Sequence, residues 1–431
     1  MTSQSLPLAL SRERTWTPTF VVFLAYVFII VTYKLGVGTA AMALALVTLA
    51  VERQPLRAPR FLWFFAAWIG LAAIGYVTTP YPDEVWDALV QHGKLFLVAL
   101  VAVNALRTPR QIRLFMLFVL ASYVLFPIRA TLVNYLHGYT NQGRAVGPFI
   151  YENANDLAAI TILMLAPALA LFAGEPRRTL VRWFALVCAV PLVITILLTQ
   201  SRGAFLALVA FGLPSAIALV RRRPRLVPVF AGLVAAALYL APAGLWQRLG
   251  GLSKATSMET IADMDPEGSA RVRFAVLQTA GRIIADHPVL GVGLGAYAHV
   301  NRDYNPVLGA YDTHNTYVNI TAETGLPGLA LFLAMVLSVL AAARAAHRRA
   351  DQLAPDQGET LHWLHLGLIA FLVASVFGSF SNLAFGYVYL SLLWSASHTA
   401  EAGRSMVMSP RFRRTFDADT PVPAAEGAPG V

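Results

Sequence analysis

The stretch "LVRWFALVCAVPLVITILLTQSRGAFLALVAFGLPSAIALVRRRPR", residues 180–225, holds two apolar runs, 180–199 and 203–220, joined by a short polar turn around Arg202. Each run approaches the ~20 residues that a helix needs to cross a hydrocarbon layer. The second run ends in Arg221, Arg222, Arg223 and Arg225. A helical hairpin with one arginine at its tip and a cluster at its base has the charge asymmetry of a membrane-spanning chain, with the clustered side cytoplasmic.

The same pattern extends outward over the whole chain. Of 431 residues, 57% are hydrophobic and only 13% charged, well under the ~25% of soluble domains. Apolar runs predict about twelve transmembrane helices, near 19–33, 36–51, 61–77, 90–106, 112–128, 156–173, 180–199, 203–220, 226–242, 327–343, 362–380 and 384–399. The first follows Arg12 and Arg14 without a small-residue cleavage site, so it reads as a retained helix. Of the 33 lysines and arginines, 22 fall on alternate turns and the two termini, on the side of the 221–225 cluster. That side is predicted to be the cytoplasm, with both termini inside. The net charge of +10 is then a topology signal, and no nucleic-acid partner is needed to account for it. The single cysteine, Cys188, lies in an apolar run and excludes a disulfide framework.

Five segments follow. Residues 1–18 form a cytoplasmic N-terminus, 19–242 carry helices one to nine, 243–326 form one large outward loop with a short helix, 327–399 carry the last three helices, and 400–431 form a disordered cytoplasmic tail. The loop contains "SARVRFAVLQTAGRIIADHP", where Val272, Val276 and Ile283 recur at helical spacing and Pro288 stops the helix.

Candidate chemistry lies on the outward side. Arg202 sits beside hydrocarbon with no acidic residue near it in sequence, so it either reaches for lipid headgroups or serves a built site. The flanking Thr199, Gln200, Ser201 and Gly203 favour the site, because they supply donors and allow close backbone approach. Arg144 lies in "NQGRAVGPFIYENANDLA", before the sixth helix; Asn155 or Asp156 there reads as an N-cap. Arg271 opens the amphipathic loop helix and Arg273 follows, where a plain solvated face is an equal alternative. Guanidinium forks bind phosphate oxygens bidentately. His314 stands in "DTHNTYVNITAETGLPG", where a short helix from Asn315 is closed by Gly325 and a new one restarts at Pro327. Asp312 and Glu323 are near enough in sequence to orient an imidazole, and general-base work suits its ordinary titration range. "DMD" at 263–265 is too slight for a metal site, and His362 with His365 reads as structural.

"HNTYVNITAETGLPG" resembles the His-Asn-x₇-Glu-x-Gly-x-x-Gly signature of the O-antigen ligase and polymerase family of bacterial inner-membrane proteins. "GRAVGPFIYENANDLA", "SRGAFLAL" and "SARVRF…DHPVLGVGLGAY" resemble its other blocks, in order, over roughly residues 140–330. The resemblance implies an all-α polytopic glycosyltransferase of GT-C-like kind, with a periplasmic active site and no cofactor or metal. It implies transfer of a glycan from undecaprenyl pyrophosphate to an acceptor hydroxyl, with inversion. His314 would be the base, and Arg202, Arg144 and Arg271 would hold the pyrophosphate, with Asn315, Glu323 and Asn155 in support. The single dominant loop resembles the ligase arrangement, whose acceptor is lipid A–core. Polymerase and protein O-glycosylation readings stay open, and a lipid-linked glycan or anion transporter is the alternative of another class. Transport predicts charge at helix centres, whereas these arginines sit at helix mouths.

Overall fold

The computed structural model describes residues 15–32, 36–176, 179–222, 269–350 and 355–407, with single positions between 223 and 268. Lipid offers no partner to a backbone amide, so apolar runs of this kind satisfy their own hydrogen bonds as helices. The first five are α1 (Pro18–Thr32), α2 (Gly38–Val51), α3 (Arg60–Gly75), α4 (Pro82–Ala105) and α5 (Pro109–Tyr123). Proline opens α4 and α5 where its missing N–H costs nothing, and Thr108 with Gln111 forms a capping box on α5. Pro127 lies in the π-helical turn Val124–Ile128 that joins α5 to α6 (Arg129–Leu136). A proline removes one ladder donor, and the widened turn accommodates it.

A two-stranded hairpin, β1 (Thr140–Asn141) and β2 (Arg144–Ala145), precedes α7 (Ala154–Gly174), α8 (Leu180–Leu198) and α9 (Arg202–Arg222). Then come α10 (Ser269–Asp286), α11 (Tyr297–Tyr304), α12 (Thr316–Ala350), α13 (Pro355–Ala374) and α14 (Ala384–Val407). Among the described residues, five helical stretches are long and apolar enough to cross a membrane: α4, the α5–α6 rod, α7, α8 and α12; α1, α2, α3 and 202–217 are apolar but shorter. In the apolar stretch of α7, 78% of the residues are buried, against 33% in α8. α7 is therefore a central helix, packed on α8 and α13. α8 turns Val187, Val190 and Ile194 outward, the exposure expected of a lipid-facing helix.

Several boundaries differ from expectation. The run 226–242 lies outside the described residues. α4 begins at Pro82 rather than 90, because Val85 is buried although Asp83 and Glu84 are polar. The expected helix 362–380 stops at Ala374. Beyond it, Ser375 and Gly378 give their carbonyls to Thr316, and the Phe380 N–H donates to the Thr316 hydroxyl. Residues 375–383 are thus a loop tied by three hydrogen bonds to Thr316 at the start of α12.

Gly325 breaks α12 with φ 71 and ψ −178, a backbone that glycine alone adopts without cost. A small second core lies under α10, where Val276, Ala280 and Ile283 meet Val292, Tyr297 and Val300. It fixes the amphipathic segment onto the end of the bundle that carries His314.

Candidate active site

Arg144 is presented by the hairpin, in which it pairs with Asn141. The turn residues Gln142 and Gly143 have φ of 54 and 74, as a two-residue hairpin turn matching strand twist requires. The Arg144 Nε donates to the Thr199 carbonyl (2.8 Å) and a terminal nitrogen donates to Asn155 Oδ1 (2.7 Å). Gln200, itself at φ 50, donates from Nε2 to the Gly143 carbonyl (2.9 Å). The hairpin and the α8–α9 turn are therefore one unit. Arg202 is the first residue of α9, half-buried, just past Ser201, whose Oγ accepts from the Ala204 N–H (3.3 Å). The cap of α7 is Asn153, which accepts from the Asn155 N–H (2.8 Å). Asn155 is thus a holder of the Arg144 guanidinium rather than the cap, because the residue before the helix has the extended backbone that capping needs.

The histidine stands on a second unit. His314 has φ 49, a left-handed backbone that costs a non-glycine residue of order 1 kcal/mol or more. Its neighbours supply the constraint. The Thr313 hydroxyl, in a residue 2% exposed, lies at hydrogen-bond distance from the Asn315 carbonyl, Asn319 Oδ1 and Ser379 Oγ (3.0, 3.3 and 3.2 Å). Asn315 Oδ1 accepts from the N–H groups of Tyr317 and Val318 (3.0 and 3.1 Å) and so caps α12. Ser379 donates to Asp312 Oδ1 (2.9 Å). The imidazole itself is half-buried and makes no hydrogen bond among the described residues. Burial moves its pKa below 6.5, and the Arg273 charge pushes the same way, while Asp312 opposes them. A neutral imidazole at neutral pH is the form that accepts a proton.

Two observations put the units side by side. A Cβ at Gly203 would lie 2.6 Å from Phe377 Cβ, so the start of α9 packs directly on the 375–383 loop. The Asp156 carboxylate, next to Asn155, is near enough to Asp312 for the two charges to repel. Arg144, Arg202 and His314 thus share one end of the molecule.

Other residues fall elsewhere. Arg271 is exposed on the first turn of α10, whereas Arg273 is half-buried and acts on His314. Glu323 does not act on the imidazole. Its buried carboxylate takes hydrogen bonds from the backbone of Gly295 and Tyr297 and the side chain of Asn319, and so holds the "GVGLGAY" turn. A Cβ at Gly291 would come within 2.3 Å of the Glu323 carbonyl carbon, and one at Gly325 within 2.2 Å of the Val289 oxygen. Those glycines let two backbones touch. Asp263 and Asp265 lie outside the described residues, among which no three His, Cys, Asp or Glu side chains converge as metal ligands. His362 lies beside His347 with the rings tilted, 5.6 Å between ring centres, at the far end of α12.

Ser379 and the 375–383 loop were not among the expected site residues. The run "SVFGSFSNL", polar and glycine-bearing between two apolar stretches, is the signal that marks it. No curated protein matches the chain. Residues 184–333, which include Arg202, Arg273 and His314 but not Arg144 or the 375–383 loop, match the family model described as O-antigen ligase. That match covers about a third of the chain, from within α8 to within α12.

Proposed function

We propose that the protein is a metal-independent glycosyltransferase of the bacterial cytoplasmic membrane that moves a glycan from undecaprenyl pyrophosphate to an acceptor hydroxyl at the periplasmic face. The observation that carries this reading is a low-pKa histidine, fixed by its neighbours, on the same end of the bundle as two arginine-bearing turns. In this reading the chain spans the membrane twelve times with both termini cytoplasmic, and 243–326 is the periplasmic loop.

The acceptor oxygen attacks the anomeric carbon as His314 takes its proton. The bond from that carbon to the pyrophosphate oxygen breaks on the opposite face, so the configuration inverts. Undecaprenyl pyrophosphate leaves carrying the electron pair, its charge met by the guanidinium groups of Arg202 and Arg144. Arg273 serves as a third cation and, adding to burial, favours the neutral form of His314; Arg271, exposed on the same helix, also meets the pyrophosphate. Such preorganised charge is often the largest contribution to catalysis. Asn155 and Asn315 orient Arg144 and the His314 turn, and Glu323 keeps the loop in place. Lipid A–core is the acceptor of the ligase reading. A polymerase or a protein O-glycosylating enzyme would use the same donor site, so the acceptor alone separates them.

The test is a reaction of purified protein with a polyprenyl-pyrophosphate glycan and three acceptors: lipid A–core, a second lipid-linked glycan and a serine-containing protein. Products are read by mass and anomeric configuration, with and without chelator. The expected product is an inverted glycosyl lipid A–core formed equally in chelator. A retained configuration, or a rate restored only by Mg²⁺ or Mn²⁺, overturns the mechanism.

A further inference from the structure

The turn that Glu323 holds has another face. Between it, the α3–α4 connection and the end of α10 lies a cavity of 430 Å³, within the roughly 300–1,000 Å³ of small-ligand sites. Thr78, Pro80, Gly291 and Val292 line it. So do Asp286, His287, Asp303 and Tyr304, all exposed, so the cavity is open. The segment that carries Gly291 and Val292 is tied down by its backbone. Thr79 donates to the Val292 carbonyl (2.8 Å), and the N–H groups of Val292 and Gly293 donate to the carbonyls of Ala322 and Glu323 (2.9 and 3.0 Å). The cavity therefore backs onto the helical segment that follows His314.

Its chemistry is the reverse of the arginine site. Among the described residues no lysine or arginine lines it. Tyr304 donates to Asp286 (2.8 Å), and the Tyr81 hydroxyl donates to Asp303 at the rim. Arg302 acts on the Tyr81 hydroxyl but is not a lining residue. Two carboxylates repel a pyrophosphate and accept well from hydroxyl or ammonium donors. A tyrosine ring beside them offers an apolar face to C–H groups. We propose that this cavity is a sugar subsite that holds an uncharged or aminated pyranose ring, away from the arginines that take the phosphates. The ligand class rests on the glycosyltransferase reading, and the ring could belong to the donor glycan or to the acceptor.

The experiment uses the full chain in lipid nanodiscs and saturation-transfer NMR with methyl α-glucoside, methyl N-acetyl-β-glucosaminide and methyl β-glucosaminide. Saturable binding of at least one is expected, weakened about fivefold or more by Tyr304→Phe and by Asp286→Asn, the loss of roughly one hydrogen bond. Binding should be unchanged in His314→Ala and unmoved by inorganic pyrophosphate. Tyr304→Phe removes a single hydroxyl, so the test survives an Asp286 variant that fails to fold. No binding of any glycoside, binding indifferent to both variants, or displacement by pyrophosphate overturns the subsite. Displacement by the lipid-linked glycan assigns it to the donor and by lipid A–core to the acceptor; displacement by neither overturns it. Product formed normally without glycoside binding sinks the subsite alone, whereas absence of product in the intact protein sinks the transferase reading.

Discussion

The arginine unit and the histidine unit reach the same end of the molecule by opposite means. Arg144 is a structural member of its own unit, because its guanidinium ties the hairpin to Thr199 and to Asn155. His314 is held entirely by others: Thr313, Asn315 and Ser379 make the bonds that fix the turn, and the imidazole makes none among the described residues. A cation that must grip a doubly charged ligand gains from being locked in advance, since less side-chain entropy is lost on binding. A base must exchange a proton with a moving substrate and needs its nitrogen unoccupied. Removal of the arginine should therefore harm fold and binding together, while removal of the histidine should harm only the chemistry.

The largest expected effect tests that separation directly. His314→Ala should lower single-turnover rate by ~10² to 10⁴-fold, with donor affinity and thermal unfolding near those of the intact protein. A folded variant with full turnover would show that the imidazole is not the base. Arg144→Lys comes next. It keeps the charge but cannot reach both Thr199 and Asn155, so a loss of about 1–3 kcal/mol is expected in donor binding, together with a lower unfolding temperature in detergent. Unchanged thermal stability would mean that the two units are not built differently.

A smaller effect is expected from Arg273→Gln. The arginine charge lowers the pKa of His314, and Asp312 raises it. Since only neutral imidazole accepts a proton, the rate should fall as pH drops through a value below 6.5. Removing the Arg273 charge raises that value, so the acid limb should move to higher pH. Asp312→Asn should move it to lower pH. Shifts in the other sense, in pH profiles of single-turnover rate, would remove Arg273 from the neighbourhood of the base. The smallest effect is that of Ser379→Ala. It deletes the hydrogen bonds of Ser379 with Asp312 and Thr313 and should reduce turnover severalfold at most, leaving donor affinity intact.

How much was legible in the sequence varies by residue. Arg202 was visible because a charge beside hydrocarbon is out of place. His314 was visible through its polar run against an apolar one. The hairpin that presents Arg144 could have been found from the Gln142-Gly143 pair, since glycine in such a place marks a tight turn. The choice of Arg271 over Arg273 was not decidable, because two residues two apart on a helix point to different sides. Glu323 was misread for a related reason. It lies nine positions from His314 in sequence, about two turns into α12, where its carboxylate is taken up by the backbone of Gly295 and Tyr297.

What the sequence determined by itself is the class of the molecule. Composition and run length are local properties, and lipid forces each apolar run into a helix that satisfies its own backbone. The break of α12 at Gly325 was likewise written locally, in the one residue that tolerates φ 71. Only the tertiary structure brings the candidate site residues together. Residues 375–383 leave the helix because Thr316, some sixty positions earlier, takes hydrogen bonds from and gives them to their backbone. Arg144 meets Thr199 across 55 positions. Such pairings depend on which helices pack side by side, and hydropathy is blind to that because every buried face in this bundle is equally apolar.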